Sequence, residues 1–86
     1  MARYEISLRR SVLDKDFSRI PKADLRRIIE AIRSLEHNPR PPGAKKLSGQ
    51  ERYRVRQGRY RIVYSIQDAE RSVWVVKVGH RRDIYR

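Results

Sequence analysis

The chain has no cysteine and only two histidines among its 86 residues. No disulfide framework and no thiolate metal site can form, and His37 and His80 are too few for a histidine cluster, so neither a metal nor another cofactor is expected. Long apolar runs are also missing. Nothing approaches the ~18 consecutive apolar residues of a membrane span, and the start, Met1-Ala2-Arg3-Tyr4-Glu5, has no apolar run behind its charge. Neither a signal peptide nor a membrane contact is expected, and the missing cysteines fit a reducing cytoplasm. The length suffices for one compact core and not for two, so residues 1–86 read as one domain.

Acidic residues are scarce too. There are 22 Lys and Arg against 10 Asp and Glu, a net charge of +12. Residues 1–38 hold nine basic and six acidic side chains, net +3, whereas residues 39–86 hold thirteen and four, net +9. Charge placed only for solubility would not segregate in this way. A one-sided basic surface concentrates polyanions around itself, either nucleic acid or an acidic protein.

Hydrophobic periodicity outlines the fold. Tyr4, Ile6 and Leu8 alternate with polar neighbours as a half-buried strand does. Ser11 and Asp14 have the spacing of a capping box, which predicts a short helix with Leu13, Phe17 and Ile20 on one face. From Lys22 to about His37, Leu25, Ile28, Ile29, Ile32 and Leu35 recur every three or four residues, the pattern of a helix with one buried stripe. Asn38-Pro39 stops it, and Arg40 to Lys46 reads as a stiff basic connector. Three strands follow, at about Arg52–Gln57, Arg59–Gln67 and Ser72–Val78, with turns at Gln57-Gly58 and Asp68–Arg71. In the last of them Trp74, Val76 and Val78 share one face, and Trp74 and Tyr64 read as core. The order β-α-α-β-β-β predicts an α+β fold, a twisted antiparallel sheet with both helices packed on one face.

The first hairpin gathers arginine. With Gln57-Gly58 as its loop, Arg56 faces Arg59, Arg54 faces Arg61, and all four share a face, while Tyr53, Val55, Tyr60 and Ile62 share the other. Directly opposed cations repel, and an anion between them removes the conflict. Guanidinium groups grip phosphate in bidentate fashion, and a phosphorane-like transition state carries more charge to hold than its ground state. A solvated, salt-screened strand face is the plainer alternative.

The C-terminal run Gly79-His80-Arg81-Arg82-Asp83-Ile84-Tyr85-Arg86 adds an imidazole, further guanidinium groups and a phenol. RNA can be cut without a metal when a base takes the 2′-hydroxyl proton, cations stabilise the phosphorane and an acid protonates the departing 5′-oxygen. Tyr85 and His80 are both candidate bases. Lys45, Lys46, Arg59 and Arg82 are candidate contacts to an RNA backbone, whereas His37 reads as a favourable cation at a helix C-terminus.

At these residues the sequence resembles the RelE toxins, the ribosome-associated mRNA endonucleases of bacterial and archaeal toxin–antitoxin pairs. The resemblance rests on Asn38-Pro39-Arg40, Lys46-Leu47-Ser48-Gly49, Tyr53-Arg54-Val55-Arg56, Gly58-Arg59-Tyr60-Arg61-Ile62-Val63-Tyr64 and Val78-Gly79-His80-Arg81-Arg82-Asp83-Ile84-Tyr85, in order and spacing across nearly the whole chain. It implies a compact microbial-ribonuclease-like sheet with two helices, metal-independent cleavage of mRNA in the ribosomal A site with a 2′,3′-cyclic phosphate product, and a RelB-like antitoxin that wraps the toxin. It further implies that Arg54 and Arg56 are the basic pair before the turn, Arg61 the phosphate-binding arginine, Arg81 the tail arginine that acts as acid or charge stabiliser, and Tyr85 the tail base. Some members of the family carry lysine at the two positions before the turn, and arginine there is a better charge clamp and a poorer proton donor. The related ParE toxins, which act on DNA gyrase without cutting RNA, are the alternative, and a non-catalytic RNA-binding or ribosome-binding module is the third reading.

Overall fold

The computed structural model describes residues 3–47 and 52–82. Strand β1 (Glu5–Leu8) leads into a turn of π-helix over Val12–Asp16 and a 3-10 turn over Phe17–Arg19, and helix α1 (Lys22–Ser34) follows. Strands β2 (Lys45–Lys46), β3 (Arg52–Gln57), β4 (Tyr60–Gln67) and β5 (Ser72–His80) complete the described chain. The five strands form one sheet in the order β1-β5-β4-β3-β2.

Helix α1 buries the stripe its periodicity predicts. Ile28, Ile32 and, just past its end, Leu35 reach the core, Leu25 is half-buried, and Ile29 at the edge of the stripe stays exposed. Asp24 in the first turn and Arg33 in the last complement the helix dipole. The sheet answers with Ile62, Tyr64, Val73, Val75 and Val78, flanked by Ile6 and Leu8.

The first helical segment departs from its sequence pattern. Ser11 is already helical (φ −62°, ψ −28°) and makes no side-chain cap bond. A capping side chain needs an extended backbone beneath it, and Asp14 instead lies 3.7 Å from Arg10. The wide turn buries Val12 and leaves Leu13 52% exposed, whereas Phe17 and Ile20 of the expected face do pack on the core.

Strand β1 also departs from the all-antiparallel sheet expected. It runs parallel to β5, with Ile6 beside Val73 and Leu8 beside Val75, so the sheet is mixed. The helical segment leaving Leu8 has to reach the Val78 end of β5, which fixes the direction of β1. There the Val78 N–H donates to Asp16 Oδ2 at 2.9 Å, and Lys77 Nζ stands 4.0 Å from Asp16 Oδ1. The last β1-side bond to β5 is the Arg9 N–H to the Val75 carbonyl at 2.9 Å. Beyond it the buried Asp16 carboxylate takes the place of a strand. Asp16→Ala strands the Val78 N–H and should cost about 1–3 kcal/mol. Urea unfolding checks this, and an unchanged midpoint would count against the role.

Lys45 and Lys46 lie within a strand and not in a plain connector, pairing with Arg54 and Tyr53 at the sheet edge. So short and cationic an edge discourages pairing with another chain. Between β4 and β5, Val63 pairs with Lys77 and Tyr64 with Val75, which leaves Val76 as an extra residue. The bulge breaks the alternation expected of β5. Val73, Val75 and Val78 enter the core, and Trp74 is turned out, 45% exposed. Tyr64 is core, as expected, and fully buried.

At the β4–β5 turn, Asp68 joins three separate segments. Arg40 donates to both of its oxygens at 3.2 and 2.9 Å, and Tyr4 Oη donates to Oδ1 at 2.7 Å. Arg40 Nε also donates to Tyr53 Oη at 3.2 Å. The Asn38 side chain accepts the Arg40 N–H at 3.1 Å and so turns Arg40 toward this cluster. The Arg40 and Tyr4 hydrogen bonds hold the Asp68 carboxyl down at about 2, from its ordinary 3.8. A lowered folded-state pKa gives stability that is present above pH 4 and is lost as pH falls toward 2. The unfolding midpoint of Asp68→Asn should therefore lie below that of the wild type at pH 6, and the two should converge by about pH 2. A constant gap across that range would show that the carboxylate is not the source.

Candidate functional site: a guanidinium cluster on the open sheet face

The hairpin turn is Gly58-Arg59, one residue later than the sequence suggests. Gly58 has φ +61° and Arg59 has negative φ, the arrangement of a II′ turn with glycine first. Gln57 therefore faces Tyr60, Arg56 faces Arg61, Val55 faces Ile62 and Arg54 faces Val63. Moving the turn by one residue shifts each partner by two, and because side chains alternate, every residue keeps its face. Arg54, Arg56 and Arg61 thus still share the face turned away from α1, whereas Arg59 occupies the turn itself.

Arg61 is the centre of the cluster. Its side chain is buried, and burial first, then the positive charges of Arg54, Arg56 and Arg81, hold its pKa below the ordinary guanidinium value. Four cations are thereby brought within electrostatic reach of one another, and Arg81 is tied to the hairpin by its N–H, which donates to the Arg59 carbonyl at 3.0 Å. On β5 the residue facing Arg61 is Gly79, and a Cβ built there would meet no atom within 4 Å. The space above Gly79, opposite Arg61 on the neighbouring strand, is therefore open.

His80 does not join this cluster. It faces Tyr60, on the helix side of the sheet, with the two rings edge to face at 5.8 Å, and its Nδ1 accepts the Arg82 N–H at 3.3 Å. A pocket of about 450 Å³ is lined by Arg59, His80, Arg81 and Arg82 at this end of the sheet. A second pocket, of about 260 Å³, lies where Lys45 flanks Arg54 and Arg56. Lys45 shares the Arg54 face by register, whereas Lys46 falls on the Tyr53 side. His37 is exposed in the turn after α1, far from the cluster in sequence. Tyr85 lies outside the described residues, as does Ser48-Gly49 of the turn before β3.

Chemically, the arrangement is an anion seat on a strand face, rigid because three of its four arginines stand on paired strands. Among the described residues no group of three or more His, Cys, Asp or Glu side chains could hold a metal. No helix among them is long and apolar enough to cross a membrane.

The ParE toxin family of type II toxin–antitoxin systems matches residues 8–85 of this chain. The chain is 30% identical to a relative named RelE1 in Methanocaldococcus jannaschii, over 98% of this chain and 97% of that protein, and 33% identical to the toxin RelG of Mycobacterium tuberculosis, over 84% and 85%. The archaeal RelE solved in complex with RelB from Pyrococcus horikoshii superposes with a TM-score of 0.82 at 30% identity, over 96% of this chain and 99% of that one. The chain belongs to the ParE/RelE toxin family, and within it is a RelE-like toxin.

Proposed function

We propose that this toxin is a metal-independent mRNA endoribonuclease that cuts in the ribosomal A site and so stops translation. The observation that carries the reading is the convergence of Arg54, Arg56, Arg61 and Arg81 around an open space on the sheet face. Arg61 and Arg56, facing each other across β3 and β4, hold the scissile phosphate, and the charge they meet grows as the phosphorane forms. A base removes the 2′-hydroxyl proton, the O2′–P bond forms and the P–O5′ bond breaks. The departing 5′-oxygen takes a proton, leaving a 2′,3′-cyclic phosphate and a 5′-hydroxyl. Tyr85 is assigned as the base, because His80 faces away from Arg61. Arg81 steadies the leaving oxygen, and Arg59, Lys45 and Arg82 guide the RNA backbone.

The toxin works as one domain in the cytoplasm, held in check by a RelB-like antitoxin. The Pyrococcus horikoshii relative is seen with its RelB, and the +12 charge here favours an acidic segment in the partner. Primer extension on a translated mRNA, with and without ribosomes, tests the activity, with Tyr85→Phe identifying the base. A second reading, inhibition of DNA gyrase, has in its favour that the matching family is described by its ParE members. Intact mRNA together with blocked gyrase supercoiling would establish it in place of the nuclease.

A further inference from the structure

Trp74 is the sole tryptophan of the chain, and it is 45% exposed on the face that carries Arg54, Arg56 and Arg61. A residue that could bury a large apolar area is instead left in water. Its neighbours across the sheet are Ser65 on β4 and Ser7 on β1, both too short to cover an indole. Beside it on the same face by register, Val63 is buried yet stands outside the core cluster, so it adds a small apolar floor. Along β4 from Arg61 to Ser65, the partner of Trp74, four residues span about 13 Å, a distance of a few nucleotides.

We propose that Trp74 is a base-stacking platform for single-stranded RNA whose phosphate is held at Arg61. The choice of ligand rests on the nuclease reading above. Cationic side chains that follow the backbone, combined with an aromatic face for a base, are the recurring means of gripping a single strand. The surface fits one base better than a protein. Its exposed apolar area is one ring flanked by serines, whereas a stable protein interface buries about 800 Å² on each partner.

The test uses the indole as its own reporter. A 2′-O-methyl oligoribonucleotide, which cannot be cleaved, should quench Trp74 fluorescence, and the same oligomer with abasic positions should bind through its phosphates with little quenching. Trp74→Leu should weaken binding of the complete oligomer about ten-fold or more, the worth of one base–aromatic stack, should leave abasic binding unchanged, and should be partly rescued by Trp74→Phe. Equal quenching by both oligomers, or wild-type affinity in Trp74→Leu, overturns the platform. If mRNA is still cut in that case, the nuclease reading stands without it. Absence of both cleavage and oligomer binding removes the nuclease reading as well. Quenching by an acidic peptide and not by the oligomer would assign the face to a protein, and would likewise overturn the proposal.

Discussion

Arg61→Ala should lower mRNA cleavage by about 10²–10³-fold, the usual loss when one donor to a transition-state oxyanion is removed. Arg61 is buried among Arg54, Arg56 and Arg81, and both its burial and their charges disfavour its cationic form in the free protein. Arg61→Met, which fills similar space without the charge, should lose cleavage as Arg61→Ala does. Arg61→Lys should retain part of the activity, since the charge remains but the planar fork that meets two phosphate oxygens is lost. Cleavage rates and thermal midpoints measured on the same samples decide the matter. An Arg61→Met variant that melts as the wild type does and still cuts within a few-fold of its rate would move the phosphate seat elsewhere.

The cluster was legible in the sequence because its logic is local. Alternation along β3 and β4 assigns Arg54, Arg56 and Arg61 to one face whichever of two adjacent residue pairs makes the turn, so an error in the turn costs nothing in the face. Alternation fails where the backbone interrupts it, and the bulge at Val76 is such a place. No propensity marks it, and a reading that treats β5 as regular sends Trp74 into the core. Likewise Asp16 cannot be recognised as a surrogate strand until β1 is known to end short of Val78. His80 shows the converse. Its chemistry singles it out, but which side of the sheet it faces depends on a pairing with Tyr60 that only the fold supplies.

The β4–β5 turn carries the Asp68 cluster that ties Tyr4, Arg40 and Tyr53 together, whereas the Gly58-Arg59 turn carries the cations and the chain toward Arg82.

Tyr64 connects the core to the Asp68 end, and its loss should be the most damaging single change to the fold. The ring is fully buried, lies between Tyr53 on β3 and Val75 on β5, and stacks on Tyr53 with centroids 6.0 Å apart. Its hydroxyl donates to the Pro39 carbonyl at 2.7 Å, fastening the segment after α1 to the sheet next to Arg40. Tyr64→Ala empties an aromatic site and should cost about 3–5 kcal/mol, a large share of the roughly 4–13 kcal/mol available to a chain of this length. Tyr64→Phe keeps the ring and strands only the Pro39 carbonyl, at about 1–3 kcal/mol. Burial pushes the Tyr64 phenol up to about 12 from 10.0. A raised folded-state pKa gives stability that is whole below pH 10 and fades as pH rises toward 12. The wild type should thus lose stability across that range more steeply than Tyr64→Phe, so that the gap between them narrows with alkali. Urea midpoints at pH 7, 10 and 11.5 measure this. A gap that stays constant would show that burial does not hold the phenol neutral, and no gap at pH 7 would show that the Pro39 bond adds nothing.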